Sequence, residues 1–226
     1  MKGSMVEFKV DGGVAKGYLA GAESEERRPG LIVIHEWWGL NDHIKDIAGR
    51  FALEGYIVLA PDLYDGKTTK NAEEAGRLMQ GLDQARALEI LQAAIGFLKK
   101  HEGVDSDHIG VTGFCMGGSF ALLLPCYSTE IRAAAPFYGD VPEDAELEKL
   151  SAPVLFIGAE NDFWITKAKM ERLSEALARF GKEGEVKVYA GVGHAFFNDT
   201  RADAYDADAA KDAWERVKQF FRQHLG

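Results

Sequence analysis

The run Ile109-Gly-Val-Thr-Gly-Phe-Cys115-Met-Gly-Gly118 changes character at a cysteine: an apolar, β-like stretch precedes it and a helix-like segment follows. Gly113 and Gly117, two residues before and two after, let strand and helix approach closely enough to hold the thiol on a strained, exposed bend. The helix N-terminus behind it favours negative charge on sulfur or on an oxyanion forming beside it. This residue type in this pattern suits acyl transfer by covalent catalysis, in which sulfur attacks a carbonyl carbon.

Such a nucleophile needs a proton carrier, and the carrier needs an orienting acid. His194 stands in Ala190-Gly-Val-Gly-His194-Ala-Phe, a glycine turn after an apolar strand, and is the expected general base and acid. Asp162 ends Val154-Leu-Phe-Ile-Gly-Ala-Glu-Asn-Asp162 and is the expected acceptor for the imidazole, with Glu160 as the rival acid two residues earlier. The chain order Cys115, Asp162, His194 fits a nucleophile–acid–histidine set.

Glu36 follows the wholly apolar Leu31-Ile-Val-Ile34 at one residue's remove and precedes Trp37-Trp38-Gly39, a poor place for a carboxylate that only seeks water. It either orders its loop by accepting backbone donors or serves as hydrogen-bond partner to the Cys115 thiol. The second reading is favoured, since a desolvated carboxylate near sulfur opposes a resting thiolate yet can take its proton. The backbone N–H groups of Trp37 and Met116 would then form an oxyanion hole. His35 and His43 have no zinc-ligand spacing, so no metal site is expected.

For these residues to meet, the elements must bring strand ends to one edge. Val6–Val10 and Ala15–Ala20 read as an opening hairpin, and buried strands follow at Leu31–Ile34, Tyr56–Ala60, Ile109–Phe114, Ala133–Tyr138, Val154–Ile157 and Val186–Tyr189. Helical spacing falls between them, from Asn41 or Asp42 to about Glu54, over Ala72–Lys100 with a break possible at Gly76 or Gly81, after Cys115, around Lys169–Phe180, and from about Ala207 to His224. Strands alternating with helices predict an α/β fold: a mostly parallel, doubly wound sheet with helices on both faces. Ligands in such sheets bind outside the carboxyl ends of the strands. Glu36, Cys115, Tyr138, Asp162 and His194 all fall there.

The 226 residues read as one domain over 1–226, with 46% hydrophobic residues to fill its core. A net charge of −10 without a basic stripe argues against nucleic acid as a partner. Two cysteines make no disulfide framework; along a helix Cys126 would lie roughly 16 Å from Cys115, too far for a bridge, and is read as a small buried hydrophobe. Neither a signal-peptide core nor a membrane-length apolar run is present, so the cytoplasm is the expected compartment, without membrane association. Residues 1–4 precede a second candidate start at Met5.

Taken with these residues, the chain resembles the dienelactone hydrolase family of α/β-hydrolases over essentially its full length. The likeness is carried by His35-Glu36-Trp37-Trp38-Gly39, Ala60-Pro61-Asp62-Leu63-Tyr64, Gly113-Phe-Cys115-Met-Gly-Gly118, Phe137-Tyr138-Gly139, the Asp162 loop and Gly193-His194-Ala-Phe. It implies a cysteine-dependent hydrolase of lactones or carboxylic esters, working through an acyl-enzyme without a cofactor. In the family a neutral thiol is held by the glutamate until substrate binds. By position, Cys115 is the nucleophile, Glu36 its partner, His194 the proton carrier and Asp162 its orienter, while Trp38, Tyr138 and Trp164 match the pocket wall.

Two positions depart from the family. Asn198 stands where well-known members carry a carboxylate-binding arginine, with Arg201 out of register nearby, and Ala195 replaces a serine. The resemblance therefore implies a small ester or lactone substrate but not an anionic one. Thioesterase or peptidase activity on the same scaffold, and a non-catalytic redox-sensing or binding role for Cys115, are the alternatives. The expected assembly is a monomer or a small homo-oligomer.

Overall fold

Residues 4–20 alternate exposed and buried side chains, as a strand covered on one face must, and turn at Asp11-Gly12. The computed structural model describes residues 3–22 and 26–226 and builds this segment as an antiparallel hairpin of β1 (Ser4–Val10) and β2 (Gly13–Ala20). The charged turn expected over Glu23–Arg28 falls partly outside the described residues. Then come β3 (Arg28–Ile34), α1 (Asp42–Leu53), β4 (Ile57–Pro61), α2 (Ala72–Gln80), α3 (Gln84–Lys100), β5 (Val104–Phe114) and α4 (Met116–Tyr127). The chain closes with β6 (Ala133–Phe137), the short α5 (Asp144–Leu147), β7 (Val154–Ala159), α6 (Lys167–Arg179), β8 (Gly184–Tyr189) and α7 (Ala207–Leu225).

The eight strands form one sheet in the order β1-β2-β4-β3-β5-β6-β7-β8, parallel from β4 to β8. The hairpin is its antiparallel edge. β4, β6, β7 and the buried part of β3 from residue 30 to 34 are continuous apolar runs because helices cover both faces of the sheet. One core cluster joins one face to α3, α4 and α6; the other joins the opposite face to α1 and α7. The predicted α/β architecture is the one observed. Among the described residues no helix is long and apolar enough to cross a membrane.

Side-chain caps set the helix starts. Asn41 accepts from the N–H of Ile44, Asn71 from Glu74, Asp83 from Ala85 and Asp206 from Ala209, each satisfying an orphan donor of the first turn. The long helical run after Ala72 breaks at Gly81, which caps α2, while Gly76 stays inside that helix. Asp83 then restarts the chain as α3.

The centre of the sheet is held by glycines that tolerate no side chain. A Cβ on Gly113 would overlap the carbonyl of Gly117, and one on Gly117 would overlap the carbonyls of Ile34 and His35. A Cβ on Gly118 would strike the carbonyl of Phe137. The N-terminal turn of α4 thus sits directly against the carboxyl ends of β3 and β6. Replacing Gly118 with Ala should lower unfolding stability by about 3 kcal/mol, because rigid backbone rather than a movable side chain opposes the methyl. Urea denaturation of Gly118→Ala beside the control Gly76→Ala, whose added methyl would meet nothing within 4 Å, measures this; equal midpoints would show that the approach can relax.

Candidate active site

Five strands deliver residues to one rim. The chain leaves β3 into His35, Glu36 and Trp37, leaves β5 at Cys115, leaves β6 at Tyr138, reaches Asp162 just beyond β7, and reaches His194 in the turn after β8. Three of the four non-glycine residues with positive φ among those described lie here: Cys115 (56°), Tyr138 (37°) and Ala195 (64°). L-residues avoid this region at a cost of order 1–3 kcal/mol each, so the surrounding packing must impose it.

Cys115 occupies the bend between β5 and α4 with ψ of −118°, and its N–H donates to Phe137 O at 3.1 Å. The side chain is 6% exposed, and burial together with the nearby Glu36 charge pushes the thiol well above its ordinary range. The backbone N–H groups of Met116 and Trp37 act in the opposite direction, favouring negative charge on sulfur. The two expected oxyanion donors therefore flank the sulfur itself. Cys126 is free and buried, its sulfur directed at Leu122 O.

Asp162 and His194 meet directly, with Nδ1 and Oδ2 separated by 2.6 Å. The other carboxylate oxygen, Oδ1, accepts from the N–H groups of Trp164 (2.8 Å) and Ile165 (2.9 Å). Burial alone would favour the neutral acid. The His194 hydrogen bond and charge, with those two N–H donors, outweigh it and hold the carboxyl below its usual range. The rival Glu160 instead accepts from Gly191 N–H at 2.8 Å, ordering the turn before His194. Nε2 of His194 is buried and without a hydrogen-bond partner among the described residues, and the ring lines the same cavity as Cys115.

Glu36 is 2% exposed, and burial raises its carboxyl to about 7 against the opposing pull of Asn198, His194 and Arg201. Its Oε2 accepts from Asn198 Nδ2 at 2.6 Å. His35 fixes the loop geometry beside it. Nδ1 of that ring lies 2.6 Å from the Glu36 carbonyl and Nε2 lies 3.1 Å from Leu63 N, so Nδ1 carries the proton and Nε2 accepts. Burial keeps this imidazole neutral.

The residues bound a cavity of about 360 Å³ lined by Glu36, Trp37, Trp38, Met79, Cys115, Phe163, Trp164, His194, Ala195 and Arg201. Trp38 and Trp164 form its walls as the resemblance implies. Tyr138 does not: fully buried, it packs against the His194 ring at a tilt, with centroids 4.9 Å apart, and against Phe196 at 5.7 Å. Its positive φ turns it beneath the imidazole, so it supports His194 rather than lining the cavity.

Sequence reasoning missed several members. Met79 reaches the cavity from α2 and Phe163 from the Asp162 loop, and neither has a motif to mark it. Arg201 also lines the cavity; its guanidinium lies 5.7 Å from the Trp38 ring centroid and pairs through two bonds with Asp203. The Asn198 contact with Glu36 crosses most of the chain and becomes visible only in the fold.

Since the Glu36 charge opposes the thiolate, Glu36→Gln should speed alkylation of Cys115 by iodoacetamide several-fold above about pH 7, where the carboxylate is otherwise ionised, and little below about pH 5.5. Mass spectrometry of the peptides reads this, with Cys126 as internal reference. Equal rates in both proteins across that range would mean the carboxylate does not act on the sulfur.

Comparison with known proteins agrees with this geometry. The dienelactone hydrolase family profile matches residues 15–225. Protein usf of Aquifex pyrophilus is 38% identical over 99% of both chains, and an Aquifex aeolicus protein named "Putative carboxymethylenebutenolidase" is 36% identical over 99% of both. Among solved structures, the dienelactone hydrolase-like promiscuous phosphotriesterase P91 from metagenomic libraries superposes with a TM-score of 0.91 at 25% identity, covering 100% of this chain and 99% of that one. Fold and sequence agree, and the chain belongs to the dienelactone hydrolase family, within the α/β-hydrolases.

Proposed function

We propose that this hydrolase cleaves lactones or carboxylic esters through an acyl-enzyme on Cys115. The observation that carries the reading is convergence: a thiol on a strained elbow, two backbone N–H groups beside it, and an Asp162-oriented imidazole border one apolar-walled cavity.

In the resting site the thiol is neutral, because burial and Glu36 oppose its ionisation. When an ester carbonyl enters, the thiol proton passes to the Glu36 carboxylate, and sulfur turns into the cavity and bonds to the carbonyl carbon. The carbonyl oxygen takes the negative charge and is met by the N–H groups of Trp37 and Met116. As the C=O bond re-forms, the C–O bond to the alcohol or enol breaks, and the leaving oxygen carries away the proton first taken from sulfur. In deacylation, Nε2 of His194 removes a proton from water, hydroxide adds to the thioester carbonyl, the C–S bond breaks, and the proton returns to sulfur. Asp162 holds Nδ1 protonated and stabilises the imidazolium formed meanwhile.

Because the walls contributed by Trp37, Trp38, Met79, Phe163 and Trp164 are apolar, the acyl or lactone moiety they accommodate is small and largely apolar. Cys115→Ala should reduce kcat/KM for aryl acetates by about 10³-fold or more, and the wild-type protein should show a transient mass increase of one acyl group on the peptide containing Cys115. Undiminished turnover in Cys115→Ala would exclude the mechanism.

A further inference from the structure

Asn198 is a buried amide, 2% exposed, in the loop that follows His194. Its two ends are chemically distinct and each is committed. Oδ1 accepts from the Thr200 N–H at 3.0 Å and from the Thr200 hydroxyl at 2.6 Å, which leaves Nδ2 to donate to Glu36 Oε2 at 2.6 Å. Reversing the amide would set its oxygen against a carboxylate oxygen and its NH2 against an N–H donor, so the network itself fixes the orientation.

The loop around this amide is anchored. The neighbouring Asp199 lies 3.3 Å from His43 Nδ1 and pairs with Arg50, both on α1. The Asn198 N–H donates to Ala195 O at 2.9 Å, and Asn198 O accepts from the Arg201 N–H at 3.0 Å. These ties fix the loop backbone beside Glu36.

We propose, building on the role given to Glu36 above, that Asn198 oriented by Thr200 is a positioning residue that holds the Glu36 carboxylate as an acceptor facing the Cys115 sulfur. A neutral amide differs in kind from a cation here. An arginine or lysine at this place would pair with Glu36 and make it a fixed anion, whereas an amide steadies one oxygen while leaving the carboxyl able to exchange a proton near neutrality. The other groups facing Glu36 are His194 and Arg201 from the same loop, the latter already paired with Asp203, together with Cys115 after β5 and the hydroxyl of Tyr138 after β6. Of these groups, only Asn198 donates a structural hydrogen bond to the carboxylate.

The test is the pH profile of kcat/KM on a neutral aryl ester. The carboxylate must be ionised to take the thiol proton, so activity falls as the pH drops through about 7 and the group is protonated. Glu36→Gln should remove that component. Asn198→Ala deletes a donor that favours the ionised form, so the acidic limb should move up by about one pH unit while the alkaline plateau stays within about threefold. Asn198→Asp places a second negative charge there and should move the limb at least as far. Should Asn198→Ala fail to fold, Thr200→Val keeps the Asn198 side chain but removes the hydroxyl that orients it, and the limb should rise by several tenths of a unit.

A purely structural asparagine would lower the rate equally at every pH, and an unmoved limb in the folded variants overturns the inference. A Glu36→Gln profile identical to wild type overturns it as well. Loss of the Cys115 mechanism is separately visible, because Cys115→Ala would then remain active whatever the limb does.

Discussion

The site depends on one close approach, that of the first turn of α4 to the carboxyl ends of β3 and β6. The glycines at 113, 117 and 118 remove the atoms that would otherwise separate backbone from backbone. With the helix pressed in, the residue between strand and helix has no room for ordinary backbone angles, and Cys115 adopts φ of 56°. The same contact sets Met116 N–H and Trp37 N–H near the sulfur, one from the helix and one from the loop after β3. The elbow and the two N–H groups beside its sulfur are thus two results of one packing event. The positive φ values at Tyr138 and Ala195 show that the strain extends to the residue behind the histidine and the residue after it.

Two carboxylates stand near this thiol, and their environments drive them apart. Asp162 has the His194 ring and two backbone N–H donors as partners, which outweigh its burial and hold the carboxyl below its usual range. Glu36 is more deeply buried and has one neutral side-chain donor, so burial wins and its carboxyl rises to about 7. Separation of acidity between neighbouring groups is how a site divides fixed electrostatic support from proton exchange. Asp162 is suited to the first task and Glu36 to the second. His35 belongs to neither: it is buried and neutral, and clamps the chain between the Glu36 carbonyl and Leu63 N–H.

Much of the architecture was legible because local signals agreed. Continuous apolar strands, glycines around Cys115 and the cap candidate at Asn41 each report on a few consecutive residues, and the strand ends follow from them, whereas the caps at Asn71, Asp83 and Asp206 emerged only in the structure. The break at Gly81 was visible only as one of two candidates, since what separates it from Gly76 is the Asp83 cap that restarts the helix. Side-chain direction was less legible. Tyr138 follows its strand as a wall residue would, yet φ of 37° turns it beneath His194, and no periodicity encodes that turn. The partner of Glu36 was hidden for a different reason: Asn198 is distant in sequence, and its role rests on Thr200 and on the ties of Asp199 to α1.

Charge around the cavity is compensated locally, with one exception. Arg201 reaches the wall, but Asp203 occupies its Nε and Nη2 donors, so its field at the cavity is partly cancelled. The Asp162 carboxylate is met by the His194 ring at 2.6 Å and by two backbone N–H donors. With a chain charge of −10 and these pairs closed, little long-range attraction remains for an anionic group. Glu36 is the exception, an acid held by an amide instead of a cation. It is the group on this rim whose charge can change without breaking an ion pair. In the proposed mechanism a proton leaving the thiol would meet the least resistance there, the property a reversible proton acceptor requires.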